Sequence, residues 1–194
     1  MSKERLAAFV DAVLAIVMTI VVLEFAEPAE LSWEALWAMR SRLAAYAVSF
    51  FWLGAMWVNM HNYWHFVDRV GKRTVWHALV VLFFSSLIPW VTVMVSDNFD
   101  NVVAQVCYGA VVLAVTFANM AFYRSTERVN HVVSRLSHRQ WFHGPMMAAD
   151  LAIKAAGLVV CVTVWPPAMF WSVLVSLLAI IVPPQLRECV DDEG

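Results

Sequence analysis

Apolar residues run almost unbroken through six stretches of this chain, roughly 6–26, 43–67, 74–96, 101–123, 146–165 and 166–186. Each is close to the ~20 residues a helix needs to cross the hydrocarbon core of a bilayer, so each predicts a transmembrane helix. Lys3 and Arg5 precede the first stretch as they would in a signal peptide. Its apolar run is too long for one and Asp11 interrupts it, so it reads as a retained span. Prolines mark the later boundaries. Pro145 opens the fifth span, Pro166 and Pro167 divide the fifth from the sixth, and Pro183 with Pro184 closes the sixth. A helix cannot continue through such residues, so the last two spans are expected to form a tight hairpin.

Charged residues fall between the spans in groups that alternate in sign. Lys3 and Arg5 come first, then the acidic stretch with Glu27, Glu30 and Glu34 beside Arg40 and Arg42. Arg69, Lys72 and Arg73 follow, then Asp97 and Asp100, then Arg124, Arg128, Arg135 and Arg139. With both termini cytoplasmic, ten of the thirteen Lys and Arg residues lie inside, as the positive-inside rule expects. Residues 126–142 set Val129, Val132, Val133, Leu136 and Phe142 among basic residues and histidines. Both an amphipathic helix on the inner membrane surface and a solvated loop fit that pattern. An acidic tail, 187–194, ends the chain.

Composition narrows the class further. The chain has 194 residues, 62% hydrophobic and 14% charged, with a mean hydropathy of +0.69. That excludes a soluble globular protein and leaves no length for a sizeable soluble domain, so 1–194 reads as a single all-α, polytopic membrane unit of six transmembrane helices among membrane lipids. No continuous basic stripe is present, and no nucleic acid partner is expected. Cys107, Cys161 and Cys189 are too widely spaced for a CxxC metal or redox pair and read as small apolar residues.

Ionisable groups inside a membrane require partners, which singles out Asp11, His61, Asp150 and Lys154. Asp150 and Lys154 stand four apart on one helix face, where they neutralise each other. Asp11 and His61 fall at similar depth, so a contact between them is geometrically open, as a clasp between two helices or as an ion contact. At about 100° per residue, Phe9, Ile16, Ile20 and Leu23 lie within about 60° of one another on the first helix, and Asp11 projects about 150° away. Such a stripe would line a pore if the helix stood at a symmetry axis. Helix packing or lipid contact accounts for it otherwise.

The first helix reads RLAAFVDAVLAIVMTIVVLE from Arg5 to Glu24. It resembles the signature of the transmembrane protein 175 potassium channels, R-x-x-x-F-S-D followed by A-I-x-x-T and L-E. Leu82 to Thr92, LFFSSLIPWVT, is similar to that family's L-S-L-I-P segment, and Trp57 to Phe66, WVNMHNYWHF, to its tryptophan and histidine cluster. The resemblance covers the first half of the chain; the last three spans match in count and topology. It implies a prokaryotic, integral cell-membrane channel, a homotetramer with its first helices lining a central pore, and no enzyme activity or cofactor beyond permeant potassium ions. By position, Ile16, Ile20 and Leu23 would be the apolar rings of the constriction. Thr19 would help coordinate the ion, Glu24 would raise cation concentration at the outer end, and Arg5, Phe9, Asp11 and His61 would tie the helix to its neighbours. No TVGYG filter occurs, so selectivity would rest on side chains and be imperfect. Val10 replaces the serine of F-S-D, which puts the local hydrogen-bond network in doubt.

The alternative is a proton-coupled secondary transporter using Asp11, His61, Asp150 and Lys154 as a relay, although no inverted repeat is evident. A metal site at His61 and His65 lacks a nearby carboxylate or cysteine to complete it. A scaffold without transport is the last class, and it predicts no ion flux.

Overall fold

A computed structural model of the chain describes residues 2–24, 27–28, 30–130 and 144–178. The described residues hold helices and no strand: α1 (Lys3–Leu23), α2 (Trp33–Ala38), α3 (Arg40–Trp64), α4 (Lys72–Ser85), α5 (Ile88–Asp97), α6 (Val102–Glu127), α7 (Gly144–Thr163) and α8 (Ala168–Ser176). Five segments among them are long and apolar enough to cross a bilayer: α1, α3, α4 with α5 as one rod, α6 and α7. The sixth expected span begins as α8 and passes beyond the described residues, where Pro183, Pro184, Cys189 and the acidic tail also lie. Of the segment expected as an amphipathic helix or a loop, 126–127 ends α6 and 128–130 is a turn; 131–142 lies outside the described residues.

The third expected span is broken. Pro89 has no N–H to give the Ser85 carbonyl and its ring crowds that turn, so α4 stops at Ser85 and α5 restarts at Ile88. Ser86 Oγ covers one freed acceptor by donating to the Phe83 carbonyl at 2.7 Å. A second difference is α2, a short helix inside the connection between α1 and α3, where only a charged stretch was expected. Ser32 caps it by accepting from Ala35 N–H at 3.1 Å, and Glu34 in its first turn suits the helix dipole.

Packing centres on α6, which meets α4 and α5 on one side and α7 and α8 on the other; α1 lies against α3, α4 and α5. Two buried amides hold loops to this frame. Asn130 accepts from the N–H groups of Asp68 and Arg69 and donates to the carbonyls of Arg69 and Thr126, so the turn after α6 grips the α3–α4 loop. Gln105 donates to the Phe99 carbonyl at 2.6 Å and accepts from Phe170 N–H at 3.2 Å, which satisfies an otherwise orphaned donor in the first turn of α8.

The expected hairpin of α7 and α8 forms, with Pro166 and Pro167 in its turn. Its closeness depends on Gly157. A Cβ there would collide with Ser172 and stand 3.2 Å from the Ala168 carbonyl oxygen, part of the α8 backbone. At Gly109 on α6 a Cβ would meet the side chain of Met169 instead, 2.7 Å from its Sδ and 2.8 Å from its Cγ, so the buried methionine would have to repack. Replacing helical glycine by alanine gains about 1 kcal/mol of helix propensity. Gly109→Ala, which crowds a flexible side chain, is therefore expected to lower thermal stability in detergent by less than Gly157→Ala does. Gly157→Ala is expected to lower it by about 1–3 kcal/mol, because overpacking against backbone outweighs the propensity gain.

Candidate functional site

The first helix has two unlike faces. Leu6, Val10, Leu14, Val17 and Val21 recur every three or four residues and are buried against the subunit's own helices. Val10, which stands where the motif has serine, is wholly inside this apolar stripe. Its methyl groups suit their surroundings, and its position calls for no hydroxyl.

The opposite face is uncovered. Ile16 is 57% exposed, Leu23 78% and Phe9 46%, and Ala8, Ala12, Ala15, Thr19 and Val22 are exposed beside them. At 100° per residue the centre of this face falls within about 10° of Thr19, with Ile16 and Leu23 about 30–50° to one side and Ile20 about 90° away. Ile20 is half-buried at its margin. The Thr19 hydroxyl lies 2.9 Å from the Ile16 carbonyl oxygen and 3.1 Å from that of Ala15, so its proton is engaged inward and its oxygen lone pairs face away from the helix. The face thus carries large apolar side chains around a single oxygen acceptor.

Glu24 follows the last turn of α1 and is exposed. Arg5 is exposed at the other end, where Ser2 caps the helix by accepting from Arg5 N–H at 3.4 Å. Asp11 is half-buried, and its partner is Trp57 on α3, whose Nε1 donates to Asp11 Oδ1 at 2.8 Å. The contact with His61 that similar depth left open is not made: His61 lies one turn beyond, exposed, with its ring 5.4 Å from that of Trp57 and 5.6 Å from that of His65. An indole N–H is a donor only, so it fits a carboxylate without any tautomer to choose. Trp57 lay within the tryptophan and histidine cluster; spacing alone did not single it out as the donor. Among the described residues no group of three His, Cys, Asp or Glu side chains could hold a metal ion.

Asp150 and Lys154 pair as their spacing predicts, Nζ to Oδ2 at 2.6 Å. The sequence did not reveal their surroundings. Lys154 Nζ also donates to Thr116 Oγ1 at 3.1 Å and stands 4.9 Å from the centroid of the Trp52 ring, while Ser176 Oγ donates to Asp150 Oδ1. Arg42 at the start of α3 meets Asp97 at the end of α5 at 2.7 Å. Cys107 and Cys161 are free thiols, half-buried and buried.

Known proteins resemble this arrangement. The model of a family described as endosomal/lysosomal potassium channel TMEM175 matches residues 5–89, from α1 into the first turn of α5. A potassium channel of a Chryseobacterium species is 37% identical over 119 residues, which is 60% of this chain and 62% of that protein. A potassium channel of Streptomyces collinus is 34% identical over 137 residues, 66% of each chain. The matches thus span about two thirds of these relatives' length. Among solved structures, a lysosomal potassium-selective channel TMEM175 homolog from Chamaesiphon minutus shares the fold, with a TM-score of 0.67 at 21% identity over 90% of this chain and 96% of that one.

Trp57→Phe leaves the Asp11 carboxylate half-buried without its donor and is expected to cost about 1–3 kcal/mol of stability. Asp11→Asn keeps an acceptor at the same place and removes the charge, so its cost should be smaller. Thermal unfolding of both variants in detergent measures the order.

Proposed function

From the similarity of its first half to the TMEM175 family we propose that the chain is a potassium channel of that family, in which passive permeation follows the first helices of four assembled copies. Both termini are placed on the cytoplasmic side. The uncovered face of α1 carries the reading. A helix that buries one side against its own subunit and leaves Ile16, Thr19 and Leu23 uncovered on the other has a face free for a shared axis.

Four such faces would make a narrow, mainly apolar passage with Ile16 and Leu23 projecting into it and Ile20 at its edge. An apolar ring offers a cation nothing in place of its water, so it acts as the barrier, and small movements of the helix that widen it act as the gate. Potassium holds its water less tightly than sodium and crosses such a barrier more readily. Thr19 oxygens between the apolar rings would favour a partly dehydrated ion, and Glu24 at the outer end would concentrate cations. Selectivity built from one hydroxyl and a size restriction, without a carbonyl ring, is imperfect by construction. The proton-coupled alternative loses support from the same geometry, since Asp150 and Lys154 neutralise each other and Asp11 is bonded to an indole that carries no titratable proton.

Liposomes holding the purified protein, a potassium gradient and a protonophore test the proposal. Wild type should pass potassium without a proton gradient, and sodium more slowly. Ile16→Asn should raise the flux about tenfold for each ~1.4 kcal/mol it removes from the barrier, and reduce the preference for potassium. Folded protein that moves no potassium, or moves it only when a proton gradient is supplied, would rule the channel reading out.

A further inference from the structure

The last helices hold the most deeply buried charge among the described residues. Lys154 is 1% exposed, and its surroundings come from four helices. Asp150 on α7 gives the ammonium one oxygen at 2.6 Å, Thr116 on α6 gives another at 3.1 Å, and the Trp52 ring of α3 covers it at 4.9 Å. Ser176 at the end of α8 fixes the second carboxylate oxygen. Carboxylate, hydroxyl and aromatic face are the groups that would hold a small monovalent cation, and here the cation is tethered to the chain.

An ion pair this far from water is a poor way to gain stability, because apolar residues of the same volume would pack there at less cost. What it imposes is one geometry, since any slip of the helices leaves a bare charge in a low-dielectric interior. The placement of Trp52 gives that geometry a consequence. On α3, Trp52 lies about 140–160° around the helix from Gly54 and Trp57. Those two residues face α1: Trp57 donates to Asp11, and a Cβ at Gly54 would stand 3.3 Å from Met18. Lys154 therefore bears on one side of α3 while α1 bears on the other.

We propose that Lys154 is a positioning residue for the first helix. The cage it forms with Asp150, Thr116 and Trp52 fixes the rotation of α3, and α3 through Trp57 and Gly54 fixes the direction in which α1 presents Ile16, Thr19 and Leu23. The effect on conduction rests on the channel reading above; the effect on α1 does not.

The test uses the full chain in liposomes, with two readouts: deuterium exchange of α1 amides relative to those of α4, and the ratio of potassium to sodium flux. Asp150→Asn with Lys154→Met removes both charges and nearly keeps the volume, whereas Trp52→Leu removes the aromatic face alone. Each should speed exchange in 3–23 beyond any change in 72–85 and shift the flux ratio by about twofold or more. Combining them should add little, because both break one link. Should the neutral pair fail to assemble, Thr116→Val withdraws a single oxygen from the ammonium and is read the same way. Unchanged α1 exchange and an unchanged ratio in the assembled variants overturn the proposal, and if Ile16→Asn still alters flux the channel reading survives without it. Localised acceleration of α1 exchange in a protein that conducts nothing would instead keep the cage and sink the channel reading.

Discussion

A polar group inside a bilayer has no water to fall back on, and the arrangement of this chain follows from how a few such groups are matched. Asp11 has the Trp57 indole, Ser49 on α3 has Thr92 on α5 at 2.8 Å, Gln105 ties the start of α8 to the loop before α6, and Lys154 has a carboxylate, a hydroxyl and an aromatic face. Apolar packing between these helices is abundant and indifferent to rotation, because lipid tails cover an uncovered leucine as well as a protein neighbour does. The few polar matches have a direction. They decide which face of each helix turns inward, and α3 takes part in three of the four just named or touches their partners.

Sequence reasoning recovered what depends on hydropathy and on covalent geometry. Apolar runs place the five described segments long enough to cross a bilayer, Pro166 and Pro167 place the α7–α8 turn, and helical spacing alone pairs Asp150 with Lys154. It did not anticipate the break at Ser86 and Leu87, although Pro89 was in view, because a proline near mid-span may be absorbed as a kink or may end the helix, and neighbouring packing decides which. The short α2 was missed because six residues are too few to show a period, and Ser32 with Glu34 is a weak signal by itself. The partner of Asp11 stayed open for a different reason. Depth along the membrane normal can be read from the spans; rotation of one helix against another cannot, and it is rotation that brings Trp57 to the carboxylate and leaves His61 one turn away.

The same limit bears on the first helix. A wheel drawn from the sequence groups Phe9, Ile16, Ile20 and Leu23 by size, and the resemblance to the channel signature selects three of them. The structure adds the position of the neighbouring helices, which moves the centre of the uncovered face toward Thr19 and leaves Ile20 at its edge. Val10, the one departure from the motif, lies on the buried side among valines and leucines. A hydroxyl on that side would contribute to packing inside the subunit, so its loss bears on how α1 is held and leaves the uncovered face as it was.

What the uncovered face offers an ion follows from the direction of one hydroxyl. Were the Thr19 proton free to point outward, the face would present a donor and favour anions or water as readily as cations. Because the proton is engaged by carbonyls of the preceding turn, the outward atom is an oxygen with its lone pairs available. Flanked by Ile16 and Leu23, that oxygen is too isolated to replace a full hydration shell, so on the proposed reading a cation would keep part of its water while passing. The ion that sheds the rest at least cost is the larger one, and this preference weakens as the apolar flanks move apart. On the proposed reading, selectivity and gating in such a passage would be two expressions of one variable, the rotation and spacing of α1, which the polar matches on α3 would set from behind.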